Sequence, residues 1–215
     1  MSFKGAIFDL DGVIVDTVPL HFKAWKRMFN EYGKKFSFED YKQKVDGIPR
    51  TNGARAILTD LSEDELEKAC DKKQVYFLEY LKSEPIPVYE TTVNLIKELN
   101  AKNVKVACIS SSKNCPYVLE QSGLRPLFDV KVDGNDITKG KPDPQIFLMA
   151  ASKLNLEPKD CIVFEDALLG VEAASRAGMV CVGVNRHDDP GRLKKSQLIV
   201  KDLSEVNYDR LKSLL

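Results

Sequence analysis

Short apolar runs punctuate the chain at Ala6–Phe8, Val104–Ile109, Cys161–Phe164, Val180–Val184 and Leu198–Val200. Each is bounded by turn or polar residues, as suits strands buried on both faces. Between them lie patterns of helical period at roughly Thr92–Asn100, Cys115–Gln121, Pro144–Lys153 and Gly170–Arg176. Alternating strands and helices predict a Rossmann-like, doubly wound parallel sheet, which binds ligands at the carboxyl ends of its strands. The rhythm breaks after the first run. From residue 17 to 83 the pattern is helical throughout, with Val18, His21, Trp25, Met28 and Tyr32 on one face and Leu66, Cys70, Phe77 and Leu81 on another. Ser37 with Asp40, and Ser62 with Glu65, fit capping boxes. The expected organisation is therefore an α/β core (1–16 and 84–215) interrupted by a small α-helical cap (17–83), with the sheet pattern resuming near Val88.

Composition narrows the classes. The 32 basic residues balance 32 acidic ones, giving a formal net charge of zero. Neither nucleic acid nor an anionic membrane is thus an expected partner. The longest apolar stretches are strand-sized, so no membrane span is expected. Phe3 leads straight into a strand ending in acids, unlike a secretory leader. The five cysteines (70, 108, 115, 161 and 181) are scattered, odd in number and without a CxxC. They point to a reducing, cytoplasmic setting and away from zinc. His21 and His187 are too few and too separated for a His-rich metal site.

Chemistry concentrates where strands end. The first closes in Phe8-Asp9-Leu10-Asp11-Gly12, the second in Ser110-Ser111-Ser112-Lys113-Asn114, and a later one in Glu165-Asp166. Lys141-Pro142-Asp143-Pro144 precedes a helix. Singly, such residues close turns or cap helices. Together they bring four carboxylates, several hydroxyls and a lysine to one edge of a sheet. That set suits stabilising and transferring an anionic group.

This order of motifs resembles the haloacid dehalogenase superfamily. His21, Trp25, Gly47-Ile48-Pro49-Arg50 and the Ser110–Asn114 segment resemble its β-phosphoglucomutase branch, along essentially the whole chain. The resemblance implies Asp9 as a nucleophile forming an aspartyl-phosphate and Asp11 as general acid and base. It implies Ser110 and Lys141 as partners of the phosphoryl group. Mg²⁺ would be held by Asp9, the main-chain carbonyl of Asp11, and Asp166, supported by Glu165. Substrate contacts would come from His21, Trp25, Gly47, Arg50, Lys73, Ser111, Ser112, Lys113 and Asn114. Pro49, Gln74 and Ser111 depart from the residues commoner in that branch.

By itself, His21 reads equally as a core histidine, Lys73 as a snorkelling lysine and Arg50 as a surface arginine in a loop. The resemblance implies a phosphotransferase acting on a phosphorylated sugar, interconverting β-glucose 1-phosphate and glucose 6-phosphate; a monomer is expected. A phosphatase of a sugar phosphate or similar small ester shares every core residue. A non-catalytic binding module is disfavoured, because no catalytic acid and no lysine is missing.

Overall fold

The structure is a computed structural model that describes residues 3–45, 48, 50–186 and 190–215. Gly47, Pro49 and His187 lie outside the described residues. The chain divides into two compact units, Met1–Asp16 with Pro87–Leu215, and Thr17–Ile86.

The larger unit holds a parallel sheet of β1 (Gly5–Asp9), β2 (Lys105–Ile109), β3 (Val130–Val132), β4 (Cys161–Glu165), β5 (Val180–Val184) and β6 (Leu198–Val200). Their order is β3-β2-β1-β4-β5-β6, every neighbouring pair being parallel. The chain winds outward from β1 on one side and from β4 on the other. The switch point therefore falls between these two strands, where such sheets open a crevice for ligands. Both central strands are buried along their whole length, which explains their unbroken apolar sequences. Ile7, Ile109, Val132 and Val163 share one face with Ile146, Phe147 and Ala174 of the helices that cover it. The next residues in register, Phe8 and Phe164, stack at 4.2 Å between ring centroids.

The smaller unit contains α1 (Val18–Glu31), α2 (Phe38–Lys44), α3 (Arg50–Arg55) and α4 (Glu63–Ser83). Its core gathers Trp25, Met28, Phe29, Phe36, Leu58 and Leu66. Both expected capping boxes form, with Ser37 and Ser62 accepting from the backbone N–H three residues on. The larger unit adds α5 (Glu90–Ala101), α6 (Cys115–Gln121), α7 (Gln145–Leu154), α8 (Leu168–Arg176) and α9 (Tyr208–Lys212). Among the described residues no helix is long and apolar enough to cross a membrane.

Three local readings are corrected. Arg50 opens helix α3 instead of sitting in a loop; the sequence Arg-Thr-Asn-Gly-Ala-Arg has no apolar period to announce a helix. Near Val88 the chain makes only an isolated bridge to Val15, and the next strand is β2. Strand β3 was not expected, since Val-Lys-Val is too short to show a pattern.

Truncating the central ring pair tests this core. Phe164→Ala removes a fully buried aromatic and should cost about 3–5 kcal/mol in chemical denaturation. A loss below about 1 kcal/mol would mean that the pair is not part of a close-packed centre.

Candidate active site

Strand β1 delivers Asp9 as its last residue, and the chain then turns back sharply. Leu10 N–H still donates to Ile109 of β2 at 2.9 Å, and Gly12 N–H donates to Val15 at 2.8 Å. Gly12 sits at φ +86, a conformation that favours glycine. Space demands glycine too, because a Cβ there would overlap the Asp166 carboxylate. The turn after β1 is thus packed directly on the acid that follows β4.

Lys141 enters from the loop before α7, across a cis Lys141–Pro142 bond. Its Nζ donates to Asp9 Oδ1 at 2.5 Å and to Glu165 Oε2 at 2.9 Å. All three groups are largely buried; Glu165 is 1% exposed. Glu165 also accepts from the Ala167 N–H at 3.2 Å. A side chain at Gly170 would overlap it, so α8 pins this carboxylate by close approach. Burial, followed by the neighbouring charge of Glu165, pushes the Asp9 carboxyl well above its usual range despite Lys141. Burial opposes the charge on Lys141, but Asp9 and Glu165 outweigh it, so the ammonium is held more firmly than usual.

Ser110 follows β2 and is 1% exposed. Its Oγ donates to Asp11 Oδ2 at 3.1 Å and accepts from the Ser112 N–H at 3.0 Å. Ser112 Oγ in turn accepts from the Asn114 N–H at 3.1 Å. These local bonds curl the segment into the start of α6. Ser111 and Lys113 are exposed, Ser112 and Asn114 half-buried. In the larger unit the structure therefore brings together Asp9, Asp11, Ser110, Lys141, Glu165 and Asp166, with Ser111 to Asn114 continuing from Ser110.

The remaining described candidates belong to the smaller unit. Lys73 does not snorkel: it is 4% exposed, and its Nζ lies 2.9 Å from His21 Nδ1. It also stands over the rings of Trp25, at 5.2 Å, and Phe77, at 4.7 Å. Aromatic faces and a nitrogen lone pair compensate a cation on an apolar stripe. The half-buried His21 ring stacks on Phe77 at 3.9 Å. Burial, then the charges of Lys73 and Arg50, hold its pKa well below the usual value. A neutral ring accepting from Lys73 at Nδ1 carries its proton on Nε2. Arg50 Nη1 lies 3.5 Å from the Cys70 carbonyl.

Comparison with known proteins identifies the family. The model of the haloacid dehalogenase-like hydrolases matches residues 3–178. The chain belongs to that family. It is 34% identical to a β-phosphoglucomutase of Bacillus subtilis, over 97% of this chain and 93% of the relative. It is 36% identical to a phosphorylated carbohydrates phosphatase of Thermotoga maritima, over 82% of each. A crystal structure of a β-phosphoglucomutase from Clostridium difficile superposes with a TM-score of 0.89 at 30% identity, covering 100% of this chain and 97% of that one.

Haloacid dehalogenase-like enzymes are generally Mg²⁺-dependent, and the residues present fit such an ion. Asp9, Glu165 and Asp166 offer carboxylate oxygens within 4.8 Å of one another. Oxygen donors of this kind suit a hard divalent cation. The upward shift of Asp9 reflects burial together with neighbouring negative charge, which added positive charge would relieve.

Sequence reasoning passed over one residue that holds the turn after β1. Arg186, two residues beyond β5, donates to the Gly12 carbonyl at 2.9 Å. Its position just past a strand's carboxyl end, the signal that found the other residues, would have marked it.

Lys141→Met would leave two neighbouring carboxylates without their shared cation. Removing one partner of a buried pair costs about 3–5 kcal/mol. Without Lys141, Asp9 would titrate still higher, so the folded variant would bind more protons than its unfolded form and lose stability as pH rises. Melting in chelator should therefore show a gap to wild type that widens from mildly acidic to mildly alkaline pH. A gap independent of pH would mean that Lys141 does not balance these charges.

Proposed function

We propose that the protein is a phosphomutase that interconverts β-glucose 1-phosphate and glucose 6-phosphate through a bisphosphate sugar, with Asp9 carrying the phosphoryl group in transit. The observation that carries this reading is the Lys141 ammonium held between Asp9 and Glu165 beside a second acid, Asp11. Lys141 favours the anionic form of Asp9 against burial and the Glu165 charge, and in that form the carboxylate is a competent nucleophile. A second carboxyl close by can handle the proton.

In the proposed cycle a carboxylate oxygen of Asp9 bonds to phosphorus while the bond from phosphorus to the sugar oxygen breaks. Asp11 gives its proton to that oxygen. In the return step Asp11 takes the proton of the other sugar hydroxyl, which attacks phosphorus, and the bond to Asp9 breaks. Ser110 Oγ and the N–H of Ser111 hold the transferring group, while Lys141 offsets charge on it and on Asp9. Asp9, the main-chain carbonyl of Asp11, and Asp166, with Glu165 in support, would hold Mg²⁺, which neutralises charge on the phosphoryl oxygens when bound.

The non-reacting phosphate needs its own cationic grip. The candidates for that role are Arg50 in the smaller unit and, in the larger unit, Ser112, Lys113 and Asn114; His21, Trp25, Gly47 and Lys73 are the candidates for the sugar. Support for Arg50 comes from the smaller unit itself. Its charge and that of Lys73 both press on His21, so cations gather there around a neutral ring.

A second reading is hydrolysis of a sugar phosphate by the same core, favoured by the 36% identity to the Thermotoga maritima phosphatase. The two differ in whether water or a sugar hydroxyl reaches phospho-Asp9. Product analysis separates them. Given Mg²⁺, β-glucose 1-phosphate and a trace of the 1,6-bisphosphate, a mutase forms glucose 6-phosphate well ahead of free phosphate. Equal rates of the two would replace the mutase reading by the phosphatase reading. Arg50→Ala should cut mutase turnover by about tenfold to a hundredfold and leave acetyl phosphate hydrolysis nearly unchanged. Equal damage to both reactions would remove Arg50 from phosphate binding.

A further inference from the structure

The turn that carries Asp11 is held by residues just past β5 and at the start of α5. Arg186 Nε donates to the Gly12 carbonyl at 2.9 Å. Its Nη2 lies 3.4 Å from the Val13 carbonyl and 3.2 Å from Thr92 Oγ1. The fully buried Thr92 donates its own hydroxyl proton to Val13 at 2.7 Å. Tyr89 completes the set, donating its N–H to the Ile14 carbonyl at 2.9 Å, and the Arg186 guanidinium lies 3.5 Å from the centre of the Tyr89 ring. Three successive carbonyls after Asp11 thus receive donors from outside the turn.

The guanidinium is itself anchored. Its Nη1 pairs with Asp202, just past β6, at 2.9 Å, and Asp202 accepts from Thr91 Oγ1 at 2.9 Å. Strands β5 and β6 therefore present a fixed cationic fork to the residues directly following Asp11. A planar guanidinium can bond two carbonyls, pair with a carboxylate and lie against an aromatic ring at once. A lysine ammonium cannot reproduce that pattern.

We propose that Arg186 is a positioning residue for Asp11: by holding the Gly12 and Val13 carbonyls it sets where the Asp11 carboxyl stands relative to the oxygen leaving phosphorus. The inference rests on Asp11 acting as the acid. It does not depend on whether the next acceptor is water or a sugar. Acid placement matters for a leaving group that needs a proton and little for one that departs as a stable anion. A misplacement of about 1 Å can cost on the order of a hundredfold in rate.

The test compares first-turnover product release at saturating Mg²⁺. Glucose release from β-glucose 1-phosphate requires protonation of the sugar oxygen; acetate release from acetyl phosphate requires none. Arg186→Met should slow glucose release by about tenfold to a hundredfold while acetate release stays within about threefold of wild type. Arg186→Lys should fall between. The ratio of the two releases is independent of how much of a variant is folded. Asp11→Asn is the reference and should show the same selectivity. Adding Arg186→Met to it should lower glucose release by less than about threefold, because residues acting through one group are not additive. Equal slowing of both releases by Arg186→Met, or full multiplication of losses in the double variant, would overturn the proposal. If Asp11→Asn itself slows both releases equally, the acid role of Asp11 fails and the positioning role falls with it.

Discussion

Everything in the larger unit turns on one ammonium group buried between two carboxylates. Withdrawing ions from water costs several kcal/mol each, and only close, well-aligned partners repay it. Lys141 meets this condition at 2.5 Å from Asp9 and 2.9 Å from Glu165. Asp9 closes β1 and Glu165 closes β4, so the bridge spans the two strands flanking the switch point of the sheet. Pairing of Phe8 with Phe164 in register brings the two acids level, and the lysine ties their ends together. Fold and site are one arrangement: the parallel register creates the acid pair, and the acid pair needs the lysine.

The same grouping accounts for the chemistry. A chain with no formal net charge gathers its acids where three strand ends meet. One buried lysine among Asp9, Glu165 and Asp166 leaves the cluster hungry for more positive charge, and burial and the Glu165 charge raise the Asp9 carboxyl accordingly. A phosphate ester, itself anionic, can approach only where cations outweigh this repulsion. Tight surroundings keep the acids in place: Gly12 admits the Asp166 carboxylate and Gly170 the Glu165 carboxylate, each where a methyl group would collide. Among the described residues no buried side-chain nitrogen or oxygen lacks a hydrogen-bond partner.

Much of this was legible from the order of residues, for identifiable reasons. Central strands buried on both faces must be apolar throughout, so β1, β2, β4 and β5 appear as runs, and acids or serines at their ends stand out. Capping boxes have a local physical cause, and both formed where Ser37 and Ser62 indicated. What stayed hidden depends on contacts remote in sequence. Strand β3 is three residues long with a lysine at its centre, and α3 lacks an apolar period. The enclosure of Lys73 by His21, Trp25 and Phe77 joins two helices that no spacing rule connects. Arg186 acts across 174 positions, on backbone carbonyls that any sequence would supply.

The central claim is that Asp9 carries the phosphoryl group. Its most direct measurement is peptide mass spectrometry of protein quenched in acid during turnover of acetyl phosphate with Mg²⁺, since acyl phosphates survive acid long enough to be mapped. The account predicts the mass of one phosphoryl group on the peptide containing Asp9, absent from Asp9→Asn, which should also be inactive. A phosphoryl group on Ser110 instead, or turnover by Asp9→Asn within about tenfold of wild type, a difference of only about 1.4 kcal/mol in barrier height, would contradict it.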